Sequence, residues 1–262
     1  MTKTLISVLL CGAAAMAAET DAQRGKRVVD EAVAALGGEK FLGMRDRMES
    51  GRAYSFYREQ LQGLARATIY TRYRAVPGGK LGVEEREAFG KDQEAAVLFT
   101  PEGEGFDITF RGARPLPVER VARYYDTTRH NVFYILHSRL HEKGMTFESR
   151  GSDVIDNMPV EIVDLIDADN QVTTVYFHRS MKVPVRQVFT RRDPVTKLKD
   201  EEVTLFSKYR EVDGVEWPYA IQRERNGEKI FEMYSDTVQV NKALEDKLFL
   251  IPTGMKRLKP MQ

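Results

Sequence analysis

His137 and His141 stand four residues apart in a stretch of helical pattern, a spacing that would bring both imidazoles to one face where they could share a metal ion. The residues between them, Ser138-Arg139-Leu140, lack the glutamate of a zinc-protease helix. Neither His130 nor Glu142 supplies an evident third ligand, and paired histidines on a polar helix face are ordinarily solvated. No metal site and no cofactor is therefore expected. The chain has no Gly-x-Ser-x-Gly elbow, P-loop or dinucleotide glycine fingerprint. Glu84-Glu85 and Glu201-Glu202 are neighbours on strand patterns, so each pair points to opposite faces and cannot easily share a proton. With no motif for catalysis, a non-enzymatic protein is expected. A metal-assisted hydrolase built on His137 and His141 is the weakest alternative.

Two other groups of residues could bind rather than react. Arg66, Arg72 and Arg74 share one face of a strand pattern with Tyr70 between them. They could form a headgroup or phosphate contact at a cavity mouth, because a guanidinium fork holds phosphate with two hydrogen bonds. The ordinary alternative is a solvated outer face, paired with Glu85 and Glu87 of a neighbouring strand. Aromatic residues are plentiful, with 13 Phe, 11 Tyr and one Trp. Tyr54, Phe56, Tyr176, Phe189, Phe206 and Trp217, together with Ile69, fall on predicted strands. They would pack an ordinary core or, if the sheet encloses a cavity, line it as ligand-binding residues.

The elements that must position these residues are mostly strands. Ala67, Ile69, Thr71 and Tyr73 alternate with Arg66, Thr68, Tyr70, Arg72 and Arg74 in a strand from Ala65 to Ala75, closed by the turn Val76-Pro77-Gly78-Gly79. Further strands are expected at Val83 to Phe89, Ala95 to Thr100 and Phe106 to Arg111. From Val183 to Val240 short strands are punctuated by Asp193-Pro194, Asp213-Gly214 and Asn226-Gly227. Asp-Gly and Asn-Gly suit type I′ hairpins, whose two central residues both need φ > 0. Two helical stretches interrupt this pattern. Val28, Val29, Ala32, Val33 and Leu36 mark an amphipathic helix capped by Asp21 and stopped at Gly37-Gly38, after which Gly51 opens the first strand. Residues 115–144 form a helical insert, broken near Asp126-Thr127-Thr128.

Forty basic and 39 acidic side chains leave a net charge of +1, which gives no global field to recruit nucleic acid. Lys3 followed by the uncharged run from Thr4 to Ala18 reads as a secretory signal, since spanning a bilayer takes about 20 residues. Ala15-Met16-Ala17 places its cleavage site, so residues 1–17 are a predicted signal peptide. The only cysteine, Cys11, lies within it, and Leu10 before it is too large for lipidation. The exported chain would then have no disulfide and no thiol chemistry. No later uncharged stretch is long enough for a transmembrane segment. Residues 18–262 are expected to form one domain in the periplasm.

The segment from Phe206 through Tyr209, Asp213-Gly214 and Trp217-Pro218 resembles a signature of LolA-like periplasmic lipoprotein carriers, which sort outer membrane lipoproteins. In them a strand ends in a tyrosine, an Asp/Asn-Gly turn and a proline. Val238-Gln239-Val240-Asn241 and Leu248-Phe249-Leu250-Ile251-Pro252 are similar to that family's ending, and the helix finished by Gly37-Gly38 to its beginning. The resemblance implies an α+β fold: a strongly curved antiparallel β-sheet, an incomplete β-barrel, with helices covering the concave face. It also implies an apolar hollow that holds acyl chains, with a lipid or lipidated protein as partner and the insert as a movable lid. An envelope sensor or scaffold of the same fold, docked on a membrane protein, is the alternative.

Overall fold

A computed structural model describes residues 18–74, 81–192 and 197–260. The expected signal with Cys11 and the turns Val76-Pro77-Gly78-Gly79 and Asp193-Pro194 fall outside the described residues. Helix α1 (Asp21–Ala35) begins with a capping box: Thr20 accepts from the backbone of Gln23, and the Gln23 side chain accepts from the backbone of Thr20. The cap is thus Thr20, and Asp21 occupies the first turn, where a negative charge faces the helix dipole. The helix ends where Gly37 and Gly38 take positive φ, and a single turn, α2 (Glu39–Leu42), follows.

Six strands come next: β1 (Asp46–Tyr57), β2 (Gln60–Tyr73), β3 (Val83–Phe89), β4 (Ala95–Phe99), β5 (Gly105–Thr109) and β6 (Gly112–Pro115). The expected strand from Phe106 to Arg111 ends at Thr109, and Phe110-Arg111 turn the chain into β6. The insert forms α3 (Val118–Arg129), the short α4 (Val132–Tyr134) and a π turn over Ile135–Arg139. Its break falls at His130-Asn131 rather than at Asp126-Thr128, because the Asn131 side chain accepts from the backbones of Phe133 and Tyr134 and caps α4. Seven strands complete the fold: β7 (Thr146–Ile155), β8 (Met158–Ile166), β9 (Val172–His178), β10 (Pro184–Arg192), β11 (Lys199–Val212), β12 (Val215–Arg225) and β13 (Glu228–Val240).

All thirteen strands join one antiparallel sheet in the order β6-β5-β4-β3-β2-β1-β13-β12-β11-β10-β9-β8-β7, which does not close into a barrel. Asp213-Gly214 and Asn226-Gly227 both take positive φ at their hairpins, as do Arg58-Glu59 and Asp156-Asn157, which carry no Asn-Gly or Asp-Gly signal. Gly51 lies within β1 rather than opening it, at a bulge against β13 where a Cβ would sit 2.1 Å from the carbonyl oxygen of Tyr234.

The sheet curls. Phe99 of β4 and Phe206 of β11 border one hollow although six strand spacings separate their strands. On a flat sheet that would be about 29 Å. Two layers cover the sheet. On its inner face, Val28 and Val29 of α1, its cap residue Leu36, and Ile135 and Leu136 of the insert form an apolar core against Phe147, Val163, Phe177 and Trp217. On the outer face of β2–β5, Leu248, Phe249 and Ile251 of the C-terminal segment pack on Tyr70, Ala88, Leu98 and Ile108. The same segment seals one sheet edge: Ala113 of β6 donates to Lys256 O and accepts from Leu258 N, as in a short parallel strand. At the other edge, β7 carries a bulge at Ser149–Gly151, with Gly151 at φ 90°.

Candidate ligand-binding hollow

Between the inner face of β1–β4 and β11–β13 and the underside of α3 lies a cavity of about 390 Å³. That is within the range of ~300–1,000 Å³ typical of small-molecule sites. Its wall is made possible by small side chains. Ala53 of β1 and Ala67 of β2 face inward, and their cross-strand partners are Ala65 and Gly51. Ile69, Phe206, Trp217, Ile221 and Met233 supply the apolar lining.

A charged strip crosses this lining. Arg47 is 9% exposed and Glu49 2%, two residues apart on β1, so both point inward. The Arg47 Nε lies 2.6 Å from Glu49 Oε1. Its other nitrogens donate to the Tyr73 hydroxyl at 2.9 Å and to Thr71 Oγ1 at 3.1 Å, and the guanidinium sits 4.2 Å over the Trp217 ring. Trp217 Nε1 donates to Glu49 at 2.8 Å, and Ser235 Oγ donates to its second oxygen. The buried ion pair is thus compensated by charge contact and by these surrounding hydrogen bonds, although Arg47 Nε itself makes no hydrogen bond. Thr71 passes the network on by donating to Glu85 at 3.1 Å.

Glu85 and Glu87 are again two apart, on β3, and both face the hollow. Burial raises the Glu85 carboxyl above its usual range, against the pull of Arg47. Glu87 is pushed up to about 7 by burial and by the neighbouring Glu85, with Arg223 and Arg120 opposing. Above them, the phenol of Tyr124 is held well above its ordinary range by burial and by these two carboxylates. The hollow therefore offers an apolar wall and, at one side, two buried carboxyl groups whose ionisation burial disfavours.

Helix α3 roofs the cavity and is held at both margins. Tyr124 stacks on Phe99 with centroids 3.6 Å apart, Val121 packs with Val97 and Leu116, and the Tyr125 hydroxyl donates to Thr100 O. At the other margin Arg191 pairs with Asp126 at 2.8 Å and with Glu202, and Thr127 donates to Glu202 at 3.3 Å. His130 stacks on Phe189 at 3.7 Å just beyond.

Of the residues read from the sequence, Ile69, Phe206 and Trp217 line the hollow. Phe189 is buried under His130, outside the lining. Tyr54, Phe56 and Tyr176 stand on the opposite face of their strands. Tyr54 meets Tyr234 edge-on, Phe56 lies under Lys229, and Tyr176 lies under Arg186. Arg66, Arg72 and Arg74 also face away from the hollow, alternating with its lining residues Ala67, Ile69, Thr71 and Tyr73. Arg72 and Arg74 pair with Glu84 and Asp246, not with Glu85 and Glu87, which the pleat turns inward. His137 is packed between Phe41 and Tyr73 with Nε2 2.8 Å from Met44 O, whereas His141 is exposed. The π turn separates their directions, and among the described residues no group of three or more His, Cys, Asp or Glu side chains is placed to hold a metal. The inward pair Arg47-x-Glu49 was not anticipated from the sequence, and Glu85-x-Glu87 was expected only as the partner of the arginines on an outer face. Their i, i+2 spacing was the available signal.

No helix among the described residues is long and apolar enough to cross a membrane, which leaves strands unaddressed. No family model matches the chain, and no curated protein matches it. Solved structures do. A DUF1329 family protein from Desulfovibrio piger superposes with a TM-score of 0.59 at 12% identity, over 88% of this chain and 98% of its own. A candidate outer membrane lipoprotein-sorting protein domain from Vibrio parahaemolyticus gives 0.56, also at 12% identity, over 87% and 97%. At such identities the likeness is one of architecture: this chain shares its fold, a large open antiparallel sheet with a few helices, with these two structures.

Proposed function

We propose that the chain is a non-enzymatic periplasmic carrier that holds the acyl portion of a lipid or lipidated protein in the hollow beneath α3. The observation that carries this reading is the void itself: about 390 Å³ left open behind Ala53 and Ala67 in a sheet whose other inner half is filled. Each methylene placed against Ile69, Phe206 and Trp217 would contribute about 0.8 kcal/mol. A polar head would lie beside Glu85 and Glu87. The scaffold alternative calls for a filled interior, and the void does not favour it.

Release requires an opening, and only α3 suits one. Ile135 and Leu136 anchor the rest of the insert in the core, so a lid made of α3 alone would hinge at Pro117 and at His130-Asn131. Hydrogen exchange should show residues 118–129 opening faster than 132–140; equal protection of both would remove the lid. The binding experiment is uptake of a fluorescent fatty acid by wild type and by Ile69→Trp, followed by native mass spectrometry of protein expressed in the periplasm. Saturable uptake lost in the variant, with a lipid adduct on the wild type, is expected. No uptake and no adduct would overturn the carrier reading.

A further inference from the structure

The outer side of the β1–β2 hairpin has the makeup of a surface that meets lipid. Its end projects past the sheet: β3 pairs with β2 from Ala67 onward and Gly90 N donates to Arg66 O, so residues 60–65 form a free edge. Leu61 and Leu64 are 55% and 59% exposed there. Leu64 is in register with Tyr54, and Leu61 with Phe56, which adds two aromatic rings to the same end.

The row behind this apolar end is basic in an unusual way. Arg66 stands directly across from Arg52, and Arg52 across from Tyr234, whose ring carries the Lys208 ammonium at 4.9 Å. Like charges directly opposite on neighbouring strands destabilise a sheet. Among the described residues neither Arg52, Arg66 nor Lys208 forms an ion pair. Glu232 is already taken by Lys229, and Glu94 and Asp236 border the row without joining it. Two facing guanidinium groups with no carboxylate between them are arranged for an anion supplied from outside, and leucines beside them are arranged for an apolar phase.

We propose that this face docks on an anionic lipid surface, with Leu61 and Leu64 entering the interface and Arg52, Arg66 and Lys208 meeting phosphate. The site is separate from the hollow, on the opposite side of the same strands, so its failure and that of the carrier reading are distinguishable. Each cation near such a surface contributes about a fivefold gain in affinity at low salt.

The test is sedimentation of the purified protein with phosphatidylcholine vesicles, with and without phosphatidylglycerol. Binding is expected only with the anionic lipid and should fall at high salt. Arg66→Glu, which reverses one charge, should lower affinity roughly 25-fold. The same change places a carboxylate opposite Arg52, so it should keep or raise the unfolding midpoint. Leu61→Ser with Leu64→Ser should weaken binding while fatty-acid uptake stays at the wild-type level. Equal affinity for both vesicles, no affinity for either, or full retention in Arg66→Glu would overturn the proposal. So would a dimer that the leucine variant dissolves, or binding to polyglutamate without binding to vesicles, which would assign the face to a second copy or to an acidic protein.

Discussion

The inner face of the sheet has two halves built on opposite rules. Under α1 and the π turn, β7–β9 present Phe147, Val163, Val175 and Phe177, and Val29, the cap residue Leu36 and Leu136 answer in one buried cluster. Under α3, β1–β3 present Ala53, Ala67 and Thr71, and the helix answers with Tyr124 and Arg120 at a distance, leaving a void. Both halves belong to one hydrogen-bonded sheet. The difference lies in side-chain volume on inward positions, together with the way each cover is attached. The filled half is held by burial, whereas the roof of the open half is held by a ring stack, a few apolar contacts and a margin of ion pairs. Stability and binding are thus divided between neighbouring strands rather than competing for the same residues.

Four measurements would break or sharpen this division. The largest effect is expected in the filled half. Phe177→Ala should cost about 3–5 kcal/mol in urea unfolding, because its surroundings cannot collapse. A loss under about 1 kcal/mol would mean that this half is also loosely packed. At the boundary, Arg47→Met leaves Glu49 buried without its cation and should cost about 3 kcal/mol or more. In the open half, Glu87 introduces a pH dependence whose sign is fixed. Its carboxyl rises from 4.5 to about 7 on folding, so the folded state binds more protons between these values. Stability is then lost as pH rises through that window, by roughly 1–3 kcal/mol in total. Glu87→Gln should flatten this slope. The wild-type-minus-variant difference isolates it from His130 and His137, which burial holds below the usual imidazole range and which act in the opposite sense. Smallest of all should be Ile69→Trp, which extends into empty space. Its unfolding free energy is expected to move by less than about 1 kcal/mol while ligand uptake disappears. A large loss of stability would show that the hollow is already closed.

Much of the framework was legible because it rests on local rules. Gly37-Gly38 ends α1, Asp213-Gly214 and Asn226-Gly227 turn their hairpins, and the alternation around Ile69 separates the two faces of β2 as observed. What alternation does not say is which face is inside. Large aromatics suggested an inner wall, and Phe206 and Trp217 do form it. On β1 the order is inverted: Tyr54 and Phe56 stand outside because the hollow needs Ala53 within. A cavity is encoded by missing volume, so the informative residues were the small cross-strand pairs Gly51 with Ala67 and Ala53 with Ala65. The fate of Arg72 and Arg74 was hidden for another reason. Their partner Asp246 lies far along the chain, in a segment whose docking on the outer face no strand pattern announces.

The short parallel pairing of residues 256–258 with β6 has a consequence beyond packing. An open antiparallel sheet of this width offers two rows of unused amide groups, and copies that recognise each other edge to edge would grow without limit. Endless growth needs both rows available. With one terminal row occupied by the chain's own residues and the other bent by the Gly151 bulge, growth through the two terminal strands has no second surface on which to continue. The protein can leave its curved interior unfilled without its rims becoming a template for fibrils.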